Sequence, residues 1–394
     1  MKKISFTGDV LCSDVHDKIC RTETSYDYTS LFSSVSDFLG KSDFVVANLE
    51  TTLSGAERGY TNAPASFNTP NKFASALKTA GIKFVTLANN HILDRGLDGM
   101  FHTIDVLKNA GIEYTGAYVS EDDSNEIRIR RFGDTTVAFI AFTYGTNSEH
   151  HHFLLNGEND RLVDILRRQP DRVEYEYARR SLPLRAIRRV LHKILKIRVF
   201  HDAAGTLDTA SPKDVRAPEN SEYEARMKEK IARARERADV VVACLHVGGQ
   251  YNDRLGTYTK YLLGLASETG VDLIVANHPH CILPQFYLNG VHTFSALGDF
   301  SFTPGKWFVD GKYADYSIVL HVYVSDGRIV KKTFSILKTL TREDGFTYPV
   351  PLYDFYCNPQ NALMREGLDR DCRRVLKRFG FKASAPLIRE EYEL

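Results

Sequence analysis

Five apolar stretches of this 394-residue chain each run out into a residue that can hold a metal ion or move a proton. Asp9 follows Ile4-Ser5-Phe6-Thr7-Gly8, and Glu50 follows Phe44 to Leu49. Asn90 and His91 follow Phe84 to Ala88, His246 follows Val240 to Leu245, and His278 and His280 follow Leu273 to Asn277. Carboxylate, amide oxygen and imidazole together suit borderline divalent metals such as zinc, manganese or iron. A carboxylate shared by two such ions, roughly 3.5–4 Å apart, clamps a phosphoryl group. An imidazole on the opposite side can protonate the leaving alkoxide. Apolar runs that end in such residues are what an open α/β sheet presents at the carboxyl ends of its strands.

The elements that must hold these residues can be read from periodicity. Strand runs at Ile4–Thr7, Phe44–Ala47, Phe84–Ala88 and Val137–Thr143 alternate with helical segments. Asn71–Ala80 and Leu97–Ala110 carry apolar residues at helical spacing, and each is stopped by a glycine, Gly81 and Gly111. The pattern resumes with a helix at Ser221–Arg237, a strand at Val240–His246, a helix at Tyr258–Thr269 and a strand at Leu273–Asn277. His292–Ala296, Ser317–Ser325 and Arg328–Thr339 then read as strands in antiparallel, hairpin-like order. The class is α/β. A TIM barrel also places ligands at strand ends, but its strands are parallel throughout, and this late antiparallel set argues against it.

Composition removes several classes of function. Lys+Arg 51 against Asp+Glu 50 leaves no field of one sign to draw in nucleic acid. No apolar run reaches the ~18 residues of a spanning helix. Met1-Lys2-Lys3 leads straight into the first strand, so a cleaved signal would take Asp9 with it, and a cytoplasmic protein is expected, peripheral to a membrane at most. The six cysteines lack metal-ligand spacing and read as reduced core residues. Residues 148–218 differ from the rest: they are rich in arginine and lysine, punctuated by prolines, and carry an apolar stripe at Ile187, Val190, Leu191, Ile194 and Leu195. They read as a helical basic insertion into a core formed by 1–147 and 219–345. Residues 346–394 read as a C-terminal helical extension with an amphipathic segment at Asn361–Phe379.

Seven short segments, taken in order, resemble a known family. They are Gly8-Asp9, Asn48-Leu49-Glu50, Ala88-Asn89-Asn90-His91 with Asp94 and Gly96, Tyr144-Gly145-Thr146-Asn147, Leu245-His246-Val247-Gly248 with Tyr251, His278-Pro279-His280, and Leu297-Gly298-Asp299-Phe300. Their order is similar to that of the CapA family, bacterial capsule-synthesis or poly-γ-glutamate-synthesis proteins of the calcineurin-like metallophosphoesterase superfamily. The resemblance covers about 3–304, the basic insertion excepted. It implies a four-layer α-β-β-α sandwich with two divalent ions at the strand ends and a metal-bound hydroxide as nucleophile. It further implies that Asp9 and His280 hold one ion, that Glu50 bridges, and that Asn90, His246 and His278 hold the other. His91 would be the general acid, and Asn48, Tyr144, Asn147 and Tyr251 would contact substrate.

The departures from that pattern carry their own expectations. Leu11 stands where the superfamily has a histidine, which leaves the first ion one ligand short. Leu53 stands where an acid orients the catalytic imidazole, and Asp94, three residues after His91, is expected to take that role. Val247, Gln250, Asn277 and Asp299 replace the family's tryptophan, glutamate, histidine and asparagine. Asn89 is expected to support the turn, the run Glu149-His150-His151-His152 to be a solvated loop, and Asp14, His16 and Asp17 to lie on the surface of an early turn. Two functions compete. One is a metal-dependent hydrolase of a phosphorylated or other anionic substrate, linked to surface-polymer synthesis. The other is a non-catalytic accessory of such machinery that binds an anionic polymer or partner.

Overall fold

The computed structural model describes residues 1–61, 66–120, 123, 126–148, 153–169, 215–251, 254–302 and 314–394. The first half contains β1 (Lys2–Val10), α1 (Asp14–Ile19), α2 (Thr29–Gly40), β2 (Phe44–Leu49), α3 (Lys72–Thr79), β3 (Phe84–Thr86), α4 (Gly96–Ala110), β4 (Glu113–Thr115), β5 (Arg128–Phe132) and β6 (Thr135–Thr143). The second contains α5 (Ser221–Arg237), β7 (Val240–His246), α6 (Thr257–Ser267), β8 (Leu273–Asn277), β9 (Ile282–Leu288), β10 (Val291–Leu297), β11 (Asp299–Ser301), β12 (Tyr316–Ser325), β13 (Arg328–Thr341), β14 (Thr347–Pro351), α7 (Leu352–Cys357), α8 (Arg365–Phe379) and β15 (Tyr392–Glu393).

Strand alternation sorts these elements into layers. On β2, Phe44 and Val46 point one way, while Val45, Ala47 and Leu49 point the other, onto α2, α3 and α4. On β6, Val137, Phe139 and Ala141 meet Phe44 and Val46, while Ala138, Ile140 and Phe142 pack under α5 and α6. The result is helices, sheet, sheet, helices, the four-layer α-β-β-α sandwich expected. One sheet runs β14-β13-β12-β1-β2-β3-β4, with β11 beside β1 and β15 beside β13; the other runs β5-β6-β7-β8-β10-β9. A closed parallel barrel is excluded.

Four sequence expectations need correction. The β12–β13 hairpin forms as read, but β10 lies in the other sheet, parallel to β8 and antiparallel to β9. The cause is β9 itself, whose run Ile282-Leu283-Pro284-Gln285-Phe286-Tyr287-Leu288 contains a proline and does not alternate, so it carries no strand signal. Residues 346–394 are woven into the first sheet, since β14 and β15 both pair with β13, and α8 buries Leu368, Cys372, Val375, Leu376 and Phe379 in the layer between the sheets. Residues 153–169, expected in the insertion, belong to the body. Leu155, Leu162, Val163 and Ile165 are core residues, and Asp164 accepts a 2.5 Å contact from the buried Lys230 of α5. The remainder of the insertion, from 170 to 214 and including its apolar stripe, lies outside the described residues, as does the histidine run at 149–152.

His16 and Asp17 are buried rather than on the surface. His16 Nε2 sits 2.9 Å from both the carbonyl and the hydroxyl of Thr347, tying α1 to β14. Burial pushes this imidazole down to about 4, so it is neutral in the fold. An unfolded histidine titrates near 6.5, so between the two values the unfolded chain binds more protons and stability is lost as pH falls, by roughly 3 kcal/mol for this one group. His292, down to about 4, and His321, down to about 3, act in the same direction, burial being the main cause for each. These three histidines therefore lower the melting temperature between pH 7 and pH 4.5, against the buried carboxylates Asp17, raised to about 6, and Glu50, raised to about 7, which act in the opposite direction. In His16→Asn the fall is shallower; a slope equal to the parent's would remove His16 from this account.

Candidate metal centre

The expected ligands arrive on both sheets and converge at the carboxyl ends of their strands. Asp9 sits at the end of β1, whose parallel neighbours are β2, carrying Asn48, and β11, carrying Asp299 opposite Asp9. That close pairing depends on Gly8, because a Cβ there would lie 1.7 Å from the carbonyl oxygen of Gly298. Glu50 follows β2 directly, and its backbone N–H donates to the Val10 carbonyl at 2.9 Å. From the other sheet, His246 closes β7 and pairs in register with Asn277, so the next residues, His278 to His280, turn inward. His278 and His280 hold φ of 106° and 53°, left-handed conformations that fold the His-Pro-His run back over the strand end.

Glu50 lies at the centre. Its Oε1 is 3.3 Å from His246 Nε2, 3.8 Å from His280 Nε2, and 4.0 Å from both His278 Nδ1 and His91 Nε2. His246 Nε2 is also 2.8 Å from Asn90 Oδ1 and 3.0 Å from His278 Nδ1. Asp9 Oδ2 lies 3.6 Å from His280 Nδ1. Two ligand groups result, Asp9 with Glu50 and His280, and Glu50 with His246 and His278; within each, the candidate atoms lie within 4.8 Å of one another. Glu50 is common to both.

The electrostatics are those of a buried anionic cluster. Burial raises Asp9 well above the usual carboxylate range, with Glu50 adding to it, and raises Glu50 to about 7. Burial also holds His246 and His278 well below the usual imidazole range, leaving neutral rings with a free lone pair. His280 differs: burial opposes its charge, yet Asp299, Glu50 and Asp9 lift it to about 10. Both Glu50 oxygens are buried without a hydrogen-bond partner among the described residues. An unpartnered buried polar group costs about 1–3 kcal/mol, and more when charged. A divalent cation would satisfy these oxygens and invert the local titration behaviour. Carboxylates, amide oxygen and neutral imidazoles, arranged around orphaned oxygens, fit divalent metal binding.

The surrounding residues hold these groups in place. His91 Nδ1 is 2.7 Å from Asp94 Oδ2, which also accepts the Phe67 N–H at 2.6 Å. Phe67 packs edge-on against the His91 ring, at 4.7 Å between centroids. Asp94 is not a helix cap, since α4 starts after Arg95 and has no side-chain cap. Burial opposes a charged His91, but Asp94 and Glu50 raise it above the ordinary value. Asn89 braces the turn: its Nδ2 donates to the Leu49 carbonyl at 2.8 Å and its Oδ1 accepts the His91 N–H at 3.1 Å.

Four residues expected to contact substrate have distinct surroundings. Asn48 Nδ2 donates to Asp9 Oδ1 at 2.7 Å, and its Oδ1 accepts from Thr86 and Asn89, so this amide faces the ligands. Asn147 Oδ1 accepts from Asn90 Nδ2 at 3.2 Å, which turns the Asn90 oxygen toward His246. The Tyr144 ring lies against His278 and the Tyr251 ring against His280, at 4.9 and 5.7 Å. Sequence reading gave no role to Phe67 or to Asp299, whose Oδ1 lies 2.8 Å from His280 Nδ1. Asp299 was visible as an acid in a motif position, but its partner was not.

The family model described as bacterial capsule synthesis protein PGA_cap matches residues 3–304. The chain belongs to the PGA_cap family. Among curated PGA_cap relatives, the PGA biosynthesis protein CapA of Bacillus subtilis (strain 168) is 23% identical over 304 residues, 76% of this chain and 63% of that protein. The capsule biosynthesis protein CapA of Bacillus anthracis is 25% identical over 316 residues, 77% of this chain and 60% of that protein. The chain thus spans about three-fifths of the length of the curated relatives it matches. Among solved structures, a candidate 5'-nucleotidase from Staphylococcus aureus in complex with alpha-ketoglutarate is similar at a TM-score of 0.41 and 15% identity, covering 93% of this chain and 58% of that one. The layer order rests on the core clusters described above. No helix among the described residues is long and apolar enough to cross a membrane.

Proposed function

We propose that this PGA_cap protein is a metal-dependent hydrolase of a phosphorylated or other anionic substrate, of the metallophosphoesterase type, acting in capsule or poly-γ-glutamate metabolism. The observation that carries this reading is Glu50, a buried carboxylate with no hydrogen-bond partner among the described residues, shared by two groups of ligand atoms. Asp9, Glu50 and His280 would hold one divalent ion, and Glu50, Asn90, His246 and His278 the other. Two ions bound there would neutralise phosphoryl oxygens and acidify a water for attack.

The chain's own residues do the rest. His91 Nε2 faces the same space as Glu50, while its Nδ1 is held by Asp94, so the ring presents one proton toward a leaving oxygen. Phe67 and Asp94 fix its orientation. Asn48 and Asn147 position Asp9 and Asn90, and Tyr144 and Tyr251 line the imidazoles nearest the substrate. The polymer-linked role comes from the family, whose curated members are named for capsule and PGA biosynthesis.

Purified protein reconstituted with manganese or zinc, freed of excess metal and assayed on a panel of phosphomonoesters and phosphodiesters, tests the reading. Bound metal with turnover above a metal-stripped control is expected. Absence of bound metal under these conditions would favour the accessory role instead, a polyanion-binding component without chemistry.

A further inference from the structure

The two ion positions are not equivalent. The position shared by Glu50, Asn90, His246 and His278 has four protein donors. The other has three, Asp9, Glu50 and His280. Leu11, two residues beyond Asp9, offers an apolar side chain that is 1% exposed, and its backbone N–H is taken by the Ser301 carbonyl at 2.9 Å. No other His, Cys, Asp or Glu among the described residues joins Asp9, Glu50 and His280 as a ligand.

Asp299 bears on this shortfall. It is fully buried on β11, in register with Asp9 on β1, and its Oδ1 is 2.8 Å from His280 Nδ1. With an ion bound, this contact would keep the proton on Nδ1 and leave the Nε2 lone pair, which faces Glu50 Oε1 at 3.8 Å, for the metal. A charged acceptor on the far nitrogen makes an imidazole a stronger donor and holds its ring in place. The amide that the family resemblance places here could accept the same hydrogen bond without the charge.

We propose that Asp299 is the positioning residue that sets the affinity of the three-donor ion position, offsetting the ligand that Leu11 does not supply. The proposal rests on the two-ion hydrolase reading. It makes the protein bind two divalent ions in unequal steps, and it makes Asp299 act on the weaker step alone.

Manganese titration of the metal-stripped protein, followed by the electron paramagnetic resonance of free Mn(II), tests this without reference to activity. The parent shows two steps of different affinity. In Asp299→Asn, which keeps the acceptor and loses its charge, the weaker step loses about 10-fold in affinity, the low end of the effect of removing such a partner, while the tighter step changes less than about twofold. Asp299→Ala loses at least as much. Equal steps in the parent, or an unchanged weak step in folded Asp299→Asn, would overturn the proposal and leave the hydrolase reading standing. A parent that binds no manganese would overturn both. The parent titration needs no variant, so it decides the inequality even if a substitution prevents folding.

Discussion

Replacing His91 with alanine lowers kcat on a phosphoester by roughly 10²–10⁴-fold, the usual contribution of a positioned general acid. Metal content should stay at the parent's value, because His91 Nε2 stands 4.0 Å from Glu50 Oε1 and belongs to neither ligand group. The contrast between lost turnover and retained metal separates an acid from a ligand. The loss should also depend on the leaving group. A substrate whose leaving group is already a good one, such as 4-nitrophenolate, needs less protonation and should lose less than an alkyl phosphate. Asp94→Asn tests the same element at one remove: Asp94 holds His91 Nδ1 at 2.7 Å, so its loss should lower kcat less than loss of the ring while leaving metal content intact. Parent-level activity in His91→Ala, or an equal drop in bound metal, would remove the acid from the mechanism.

Glu50→Gln is expected to remove both ions at once. One Glu50 oxygen is the near neighbour of His246, His278 and His280, so the substitution takes one negative charge from both positions. Loss of an outer partner alone costs roughly 10–100-fold in metal affinity, and loss of a shared ligand should exceed that. Metal retained after desalting should fall below one ion per chain, with turnover at background. The fold should survive. Burial raises Glu50 to about 7, so in the metal-free protein its ionisation is a destabilising event that grows as pH rises from the unfolded carboxylate value toward 7. Glutamine removes that penalty. The metal-free variant should therefore melt at or above the metal-free parent at pH 8, and should gain nothing from added manganese. A variant that still binds two ions would sink the bridging role; one that melts well below the parent would point to a structural role for Glu50.

Legibility differed between elements for physical reasons. Strands buried on both faces, such as β7 and β8, are continuous apolar runs whose ends point to His246 and to His278 and His280. Helices α3 and α4 announced themselves by apolar spacing and a glycine stop. β9 was hidden because a proline sits within it and its apolar residues do not alternate, and with it went the true placement of β10. His16 and Asp17 looked like turn residues; His16 is held by Thr347 on β14, more than 300 positions away, and Asp17 by the buried Tyr28 hydroxyl. Asp94 was legible because three residues on a tight turn fix its reach to His91. Asp299 was not, because its partner His280 comes from a different sheet.

By itself the sequence determined which residue types stand at each strand end, and so the donor set and the kind of ion it suits. The α/β class came from strand and helix alternation, and the layer order from the family resemblance. Only the tertiary structure decided the distances. It set Asp299 opposite Asp9, brought Asn48 Nδ2 to 2.7 Å from Asp9 Oδ1, and left Glu50, between the two ligand groups, without a hydrogen-bond partner among the described residues. Periodicity is a local property of the chain, whereas a metal centre built from two sheets depends on how those sheets pack, which contacts between residues hundreds of positions apart determine.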